Sequence, residues 1–561
     1  MKVMRQTTFL ALCGVMLLTV GIAVGMVLGT GAPVDESARA AMDKIDEVYR
    51  TAASQYVDDV STETLTQGAI TGMLTQLDPH SVYIDAERME RVSEAFNASF
   101  EGIGITYEFI DGSAGQDTLA VRTVIEGGPS AAAGLQSGDR IVAIDGTSAV
   151  GYTHEAVQST LKGPGGTAVT LTIRRPASDG QMQRRVERGD VPLRTVMASF
   201  MANDRTGYIK VNRFARTTYR EFVQALARLD ERGMERLILD LRGNSGGLME
   251  AAIQVADEFL SADQLIVSAR SRHEEFTRSN YATGGGAFED RPVIVLVDEQ
   301  SASASEIVAG ALQDHDRAFI IGERTYGKGL VQRQYRLDDG SALRLTISRF
   351  YTPAGRLIQT PYSEDRAAYY HAKAISHARD SARSRAEIIA SAPDSLRYRT
   401  DGGRTVVGGG GIVPDRVVRA DTNGARRALS RSRLANHFAR HWLDQHGASL
   451  RAAWRERSDA FAEQYTIEDA QYAALQRFAA QEGYCEGGLR DLAEGGGAVC
   501  RAIAHHPAVA KALVKAHLAE RLFGRSAWYP AYLQVDPVFT KALHTWPAAE
   551  SLVARYPVGT S

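Results

Sequence analysis

A chain of 561 residues with 64 basic and 67 acidic side chains has a formal charge of −3 and an apolar fraction of 44%. This length exceeds one hydrophobic core and predicts three or four domains at roughly 150 residues each. The near-neutral balance offers no electrostatic reason for nucleic acid as a partner, and that class is set aside.

The N-terminus carries Lys2 and Arg5 and then runs uncharged from Gln6 to Val34. A bilayer needs about 20 helical residues, so this run is long enough to span one. Basic residues before it and Asp35 and Glu36 after it put the N-terminus in the cytoplasm and the rest outside. Residues 1–34 are read as a membrane anchor. A cleaved signal peptide is the alternative, because small residues cluster at Gly29 to Ala32. Either form places the protein on the periplasmic side of the cell envelope, with the membrane as a partner. Leu10 to Leu12 ahead of Cys13 do not make a lipidation box. Cys485 and Cys500 lie close together in a compartment that permits disulfides. A bridge and two free thiols both stay open, and two cysteines alone make no zinc site.

Residues 35–97 show apolar positions at helical spacing, as in Ala41, Ile45, Val48 and Tyr49, then Ile70, Met73, Leu74 and Leu77. The turn Asp78-Pro79-His80-Ser81 stops one helix, and His80 is read there as a turn residue and not as a ligand. Between 98 and 178 the pattern becomes short strands broken by glycine. Gly128-Pro129-Ser130-Ala131, Ala133-Gly134-Leu135, Gly138-Asp139 and Ile144-Asp145-Gly146 make this segment resemble a PDZ domain. That resemblance implies a peptide bound as an added strand, with its C-terminal carboxylate on backbone N–H groups. It assigns the binding loop to Gly102, Ile103, Gly104 and Ile105. Residues 190–418 read as an α/β region, whose apolar runs at Leu237–Gly243 and Pro292–Asp298 fit strands buried on both faces. Within it, 360–400 is charged, helical in pattern and read as an insertion. The last segment, 419–561, is helix-patterned and receives no chemistry.

Three serines compete as nucleophile, since each needs a base, an oxyanion site and an exposed Oγ. Ser245, in Gly243-Asn244-Ser245-Gly246-Gly247, fits the nucleophile elbow of an α/β-hydrolase. His315 and His371 lie downstream of it, but neither sits in a recognisable motif. Ser159-Thr160-Leu161-Lys162 is a literal S-x-x-K inside the PDZ-like segment, without its companion motifs. Ser303, in Ser301-Ala302-Ser303-Ala304-Ser305-Glu306, follows a buried strand and opens a helix, whose free N–H groups and partial positive charge favour an oxyanion. Serines also cap helices and alanines allow close packing, so this stretch has a structural meaning as well.

The four pieces DLRGNSGG (240–247), VDEQSASASEIVAGAL (297–312), GERTYGKGLVQ (322–332) and YTPAGRLIQ (351–359) occur in order behind the PDZ-like module. Together they closely resemble the C-terminal processing, or tail-specific, serine proteases over most of 38–418. The resemblance implies a ClpP/crotonase-like α/β core, Ser303 as nucleophile and Lys328 as its base. It further implies Gln332 as the residue that orients the lysine, and the backbone N–H groups of Gly247 and Ala304 as the oxyanion hole. A lysine at its usual pKa of about 10.4 stays protonated at neutral pH, so burial must lower it to roughly 7 or 8. Lys328 and Gln332 are expected to meet across a helical turn, where i and i+4 are neighbours. The implied activity is endopeptidase cleavage of protein or peptide substrates selected by their exposed C-termini, with no cofactor or metal. A homo-oligomer is left open. The rival from another class is a catalytically silent PDZ scaffold.

Overall fold

In a computed structural model of the chain, the described residues are 36–110, 117–176, 178, 180–362, 366–421, 424–455, 457–485 and 496–555. The segment read as a membrane anchor lies outside them. Among the described residues no helix is long and apolar enough to cross a membrane.

Residues up to Leu77 form one unit, with helices Glu36–Gln55 and Thr62–Leu74. Ser61 caps the second by accepting from the Thr64 N–H. On the first helix, Met42, Ile45 and Val48 recur along one face and are exposed.

The second unit, from Asp78 on, is built on a six-stranded sheet. Its strands run in the order Val196–Asn203, Thr206–Val211, Arg236–Asp240, Val293–Val297, Phe319–Gly322 and Arg416–Val417. The first pair is antiparallel and every later pair is parallel. Parallel strands need cover on both faces. Alternate side chains supply it: Leu237, Leu239, Val293 and Val295 point to a core shared with the helices Thr218–Asp230, Met249–Asp257 and Ala304–Asp314. Tyr208, Ile238, Ile294 and Leu296 point the other way and meet Leu533, Val538, Phe539 and Trp546 of the C-terminal region. The tail without assigned chemistry is thus the second cover of the central sheet.

A second sheet is centred on Ala342–Tyr351, which pairs with Leu330–Arg336, Leu265–Arg270 and Val82–Ile84. The 35–97 region is therefore not helical throughout, because Val82–Ile84 adds a strand to the α/β region. Three residues are too few to show a period of two against a helical background.

The PDZ-like segment closes on its own core of Leu119, Val121, Ile141, Val157, Val169 and Leu171. Its neck is the antiparallel pair Ser99–Gly102 with Gly189–Pro192. The tail grips it through Arg140 to Asp444 at 2.5 Å, Arg122 to Glu520 at 2.9 Å and Arg521 to Glu108 at 2.8 Å. Cys485 and Cys500 are bonded to each other and lie in the tail's core with Phe438, Phe461 and Phe478. The 360–400 segment contains the helices Arg366–Ser381 and Arg385–Ser391. It is not a solvated appendage, since Tyr369, Lys373 and Asp380 are buried.

A chain ended at 418 is expected to be insoluble, because it bares the Tyr208, Ile238, Ile294 and Leu296 face. In the full chain Phe539→Ala is expected to cost about 3–5 kcal/mol, read as a lowered denaturation midpoint.

Candidate active site

The run 301–310 is buried at every position except Ser303, which is partly exposed. The three serines differ in what their hydroxyls do. Ser301 Oγ donates to the Leu241 carbonyl at 2.9 Å, and Ser305 Oγ donates to the Asn244 carbonyl at 2.8 Å. Both are structural. Ser303 stands between them at φ +54° and ψ −110°, at the head of the helix Ala304–Asp314. A non-glycine residue there is strained and persists only where its surroundings hold it.

Glu306 does much of the holding. Its side chain is fully buried, and Oε2 accepts from the Ser303 N–H at 2.8 Å and the Lys328 N–H at 2.9 Å. Oε1 accepts from the Gly327 N–H at 2.7 Å and the Thr325 hydroxyl at 2.6 Å. Burial raises the Glu306 pKa, and these four donors pull it back. One carboxylate therefore ties the serine's backbone to the loop that carries Lys328. The sequence motif that signals it is the S-x-x-E capping box starting at Ser303.

Lys328 Nζ donates to Gln332 Oε1 at 2.7 Å, and Gln332 Nε2 donates to the His80 carbonyl at 2.6 Å. The expected helical turn is absent, because Gln332 lies in the strand Leu330–Arg336 with a register shift between Val331 and Gln332. That expectation counted backbone spacing and left out side-chain reach: long side chains lean along a strand and bridge the gap. Burial, followed by the Arg344 guanidinium, holds the Lys328 amine below its ordinary pKa, against an opposing pull from Asp78 and Glu306. Among the described residues no hydrogen bond joins Lys328 to the Ser303 hydroxyl.

His80 belongs to this site after all, through its backbone. Asp78 fixes the turn by accepting from the His80 N–H at 2.9 Å and the Ser81 hydroxyl at 2.6 Å. The imidazole packs on Tyr369 at 5.9 Å between ring centroids. Burial and then the Lys328 charge push its pKa down to about 4, so it is neutral in ordinary buffers.

The loop 243–247 lies directly against the serine. The Asn244 carbonyl accepts from the Ala302 N–H at 3.0 Å, and Asn244 Oδ1 accepts from the Gly246 N–H at 2.9 Å. Gly247 is at φ +143°, and a Cβ there would fall 1.9 Å from the Phe214 carbonyl oxygen, so only glycine fits. Among the described residues the N–H groups of Gly247 and Ala304 have no acceptor within the protein. The loop hangs from a buried network: Asp240 to Arg242 at 2.7 Å, Arg242 to Asp536 at 2.9 Å, and Tyr208 donating to Asp240 at 2.8 Å.

Among the described residues no hydrogen bond joins Ser245 or Ser159 to a basic side chain either. Ser245 is exposed, and the next helix begins only at Met249. His315 bonds Asp401 at 2.6 Å and the Leu265 carbonyl at 2.8 Å, while His371 is exposed on another helix. Lys162 pairs with Glu94 at 2.7 Å, and Ser159 bonds the Ala156 carbonyl at 3.1 Å. Ile103, Gly104 and Ile105 line a separate groove of about 330 Å³ with Phe100, Val157 and Leu161. Gly104 is at φ +79° and abuts Gly128, and Gly102 ends the neck strand.

The model of peptidase family S41 matches residues 205–365, that of the PDZ domain 121–175, and that of the N-terminal domain of the activating protease CtpB 27–88. The carboxy-terminal processing protease CtpB of Bacillus subtilis is 34% identical over 330 residues, covering 58% of this chain and 67% of that protein. A carboxy-terminal-processing protease of Bartonella bacilliformis is 36% identical over 320 residues, covering 56% of this chain and 72% of the relative. Among solved structures, the photosystem II D1 C-terminal processing protease matches with a TM-score of 0.31 and 29% identity, over 56% of this chain and 89% of that one.

Glu306→Ala would leave the buried N–H groups of Ser303, Gly327 and Lys328 without their acceptor. The expected loss is about 3–5 kcal/mol of stability, measured by denaturant unfolding.

Proposed function

Because this chain belongs to the carboxy-terminal processing proteases of peptidase family S41, which are serine peptidases, we propose that Ser303 and Lys328 form its catalytic dyad. The observation that carries this reading is the Glu306 carboxylate, which binds the backbone of both residues while Gln332 aims the lysine. Neutral Lys328 takes the Ser303 proton as Oγ attacks the scissile carbonyl. The N–H groups of Gly247 and Ala304 receive the oxyanion, and the lysine then returns the proton to the leaving amine. In deacylation the same amine activates water. The core reads as ClpP/crotonase-like, with boundaries near 190 and 418.

Lys328 Nζ donates to Gln332, which leaves the lone pair of the neutral amine for the serine proton, and the contact with the Ser303 hydroxyl is expected to close when substrate binds. Such tightening on binding is ordinary for catalytic contacts. The PDZ groove selects substrates by C-terminus: its apolar wall of Ile105, Val157 and Leu161 takes side chains, and the backbone at 103–105 takes the carboxylate. The uncharged N-terminal run and the Cys485 to Cys500 bridge support a periplasmic, membrane-anchored enzyme acting on envelope proteins. The exposed row Met42, Ile45 and Val48 supports a homo-oligomer. No observation favours a silent scaffold.

Ser303→Ala and Lys328→Ala are each expected to lower cleavage of an unfolded protein by roughly 10⁴-fold while leaving the melting temperature near wild type. Ser245→Ala and Ser159→Ala are expected to retain activity. A fully active Ser303→Ala chain would sink the assignment. Since neutral Lys328 is the active form and its pKa is lowered, kcat/KM is expected to rise with pH through a single acid limb below the ordinary lysine range.

A further inference from the structure

The PDZ domain and the tail meet around a cavity of about 130 Å³. One wall is the PDZ turn 136–138 with Arg175, and the other is the tail helix Leu434–Ala453 with Arg521 of the helix Pro507–Phe523. Arg440, Asp444 and Arg451 stand at positions i, i+4 and i+11 of the first tail helix, so they share the face turned to the PDZ domain.

Positive charge is in excess there. Among the described residues five arginines meet three carboxylates. Arg175 binds Asp139 at 2.7 Å, Arg140 binds Asp444 at 2.5 Å, and Arg521 and Arg440 share Glu108 at 2.8 and 3.8 Å. Arg451 has no carboxylate partner among the described residues, and its one hydrogen bond runs from Nη2 to the Ser137 carbonyl at 2.7 Å. Arg440 makes no hydrogen bond among the described residues. The Arg521 side chain is 1% exposed, and its Nε has no acceptor there. Guanidinium groups keep their charge at every working pH, so nothing in the chain itself removes the excess. Charge withdrawn from water is costly unless an opposite charge answers it. Arginine forks with spare donors, converging from two sides, suit a tetrahedral oxyanion held bidentately.

We propose that this cavity binds one compact, doubly charged oxyanion of the phosphate or sulfate type, which bridges the PDZ domain to the tail. Two negative charges match the two guanidinium groups in excess. The cavity is well below the roughly 300–1,000 Å³ of pockets for drug-sized ligands, so a nucleotide does not fit. A substrate carboxylate would answer one of the two charges and leave the other. The Asp444 carboxylate also lines the cavity, and its pairing with Arg140 offsets its repulsion of the ion. Bound between Arg175 on one side and Arg440 and Arg451 on the other, the ion adds to the direct ion pairs a contact that depends on the surrounding solution. The site stands apart from Ser303 and Lys328 and does not rest on their roles.

The test is isothermal titration calorimetry of the full chain in neutral detergent with sodium phosphate at about pH 8, where phosphate carries about two charges. Sodium chloride at the same ionic strength is the reference. Phosphate is expected to bind saturably with one ion per chain, and chloride is expected to give no saturable heat. Arg440→Met and Arg451→Met are each expected to weaken phosphate binding by roughly tenfold or more, through loss of a charge-assisted contact. Arg185→Met, at an exposed position of the PDZ strand Met182–Glu187, is expected to bind like wild type, as is Ser303→Ala. A raised melting temperature in phosphate is not sufficient, because such anions stabilise proteins generally by exclusion from their surface. Hydrogen exchange reads the bridge: phosphate is expected to slow exchange at 136–139 and 440–451 in the wild type and not in Arg440→Met. If Arg451→Met misfolds, Arg440→Met decides the matter, since it gives up only a contact at 3.8 Å. Absence of saturable binding, or equal affinity in Arg440→Met and wild type, overturns the site. Binding that leaves exchange in both segments unchanged overturns the bridge.

Discussion

The site depends on one buried carboxylate. Glu306 gathers the N–H groups of Ser303, Gly327 and Lys328 and the Thr325 hydroxyl, which come from two segments about 20 residues apart in sequence. Four donors on one carboxylate satisfy a charge that would otherwise be costly to bury. The same contacts fix the strained backbone of Ser303 and the loop that carries Lys328 into the strand Leu330–Arg336. Neither feature would hold alone: φ +54° costs energy at a serine, and a glycine-flanked lysine has no local reason to keep one orientation.

The lowered pKa of Lys328 also needs walls, and these come from far along the chain. The turn 78–81 supplies a carbonyl for Gln332 and the His80 ring, the strand Ala342–Tyr351 supplies Arg344, and the insertion helix packs Tyr369 on that ring. Desolvation by these elements does what the Gly327-Lys328-Gly329 sequence cannot do by itself. Glycine permits close approach, but it brings no apolar surface to exclude water.

The distinction between local and assembled features explains what the sequence disclosed. The buried strands 293–297 and 236–240 were legible, because continuous apolar runs have few other uses. The candidate serine stood out only through the company of four ordered motifs, since S-A-S-A-S is also ordinary helix-start chemistry. Two things stayed hidden: the tie that Glu306 makes between Ser303 and Lys328, and the His80 carbonyl that receives Gln332. Each acts through contacts across long stretches of chain, and no period or spacing reports those. The helical turn demanded for Lys328 and Gln332 failed for a related reason: spacing describes backbones, and the contact is made by side chains leaning along a strand.

The C-terminal region is where fold and site become inseparable. Asp536 caps the helix Pro537–Leu543, whose Val538 and Phe539 cover the outer face of the central sheet. It also pairs with Arg242, whose neighbour in the network, Asp240, ends the strand that leads into the loop 243–247. That loop carries the Gly247 N–H and splints the serine through the Asn244 carbonyl. Earlier in the same tail, Asp444, Glu520 and Arg521 hold the PDZ domain. An element with no chemistry of its own thus holds both the PDZ domain and the loop 243–247 beside Ser303. A disturbance of its core should therefore reach both, and tail stability and active-site geometry cannot vary independently.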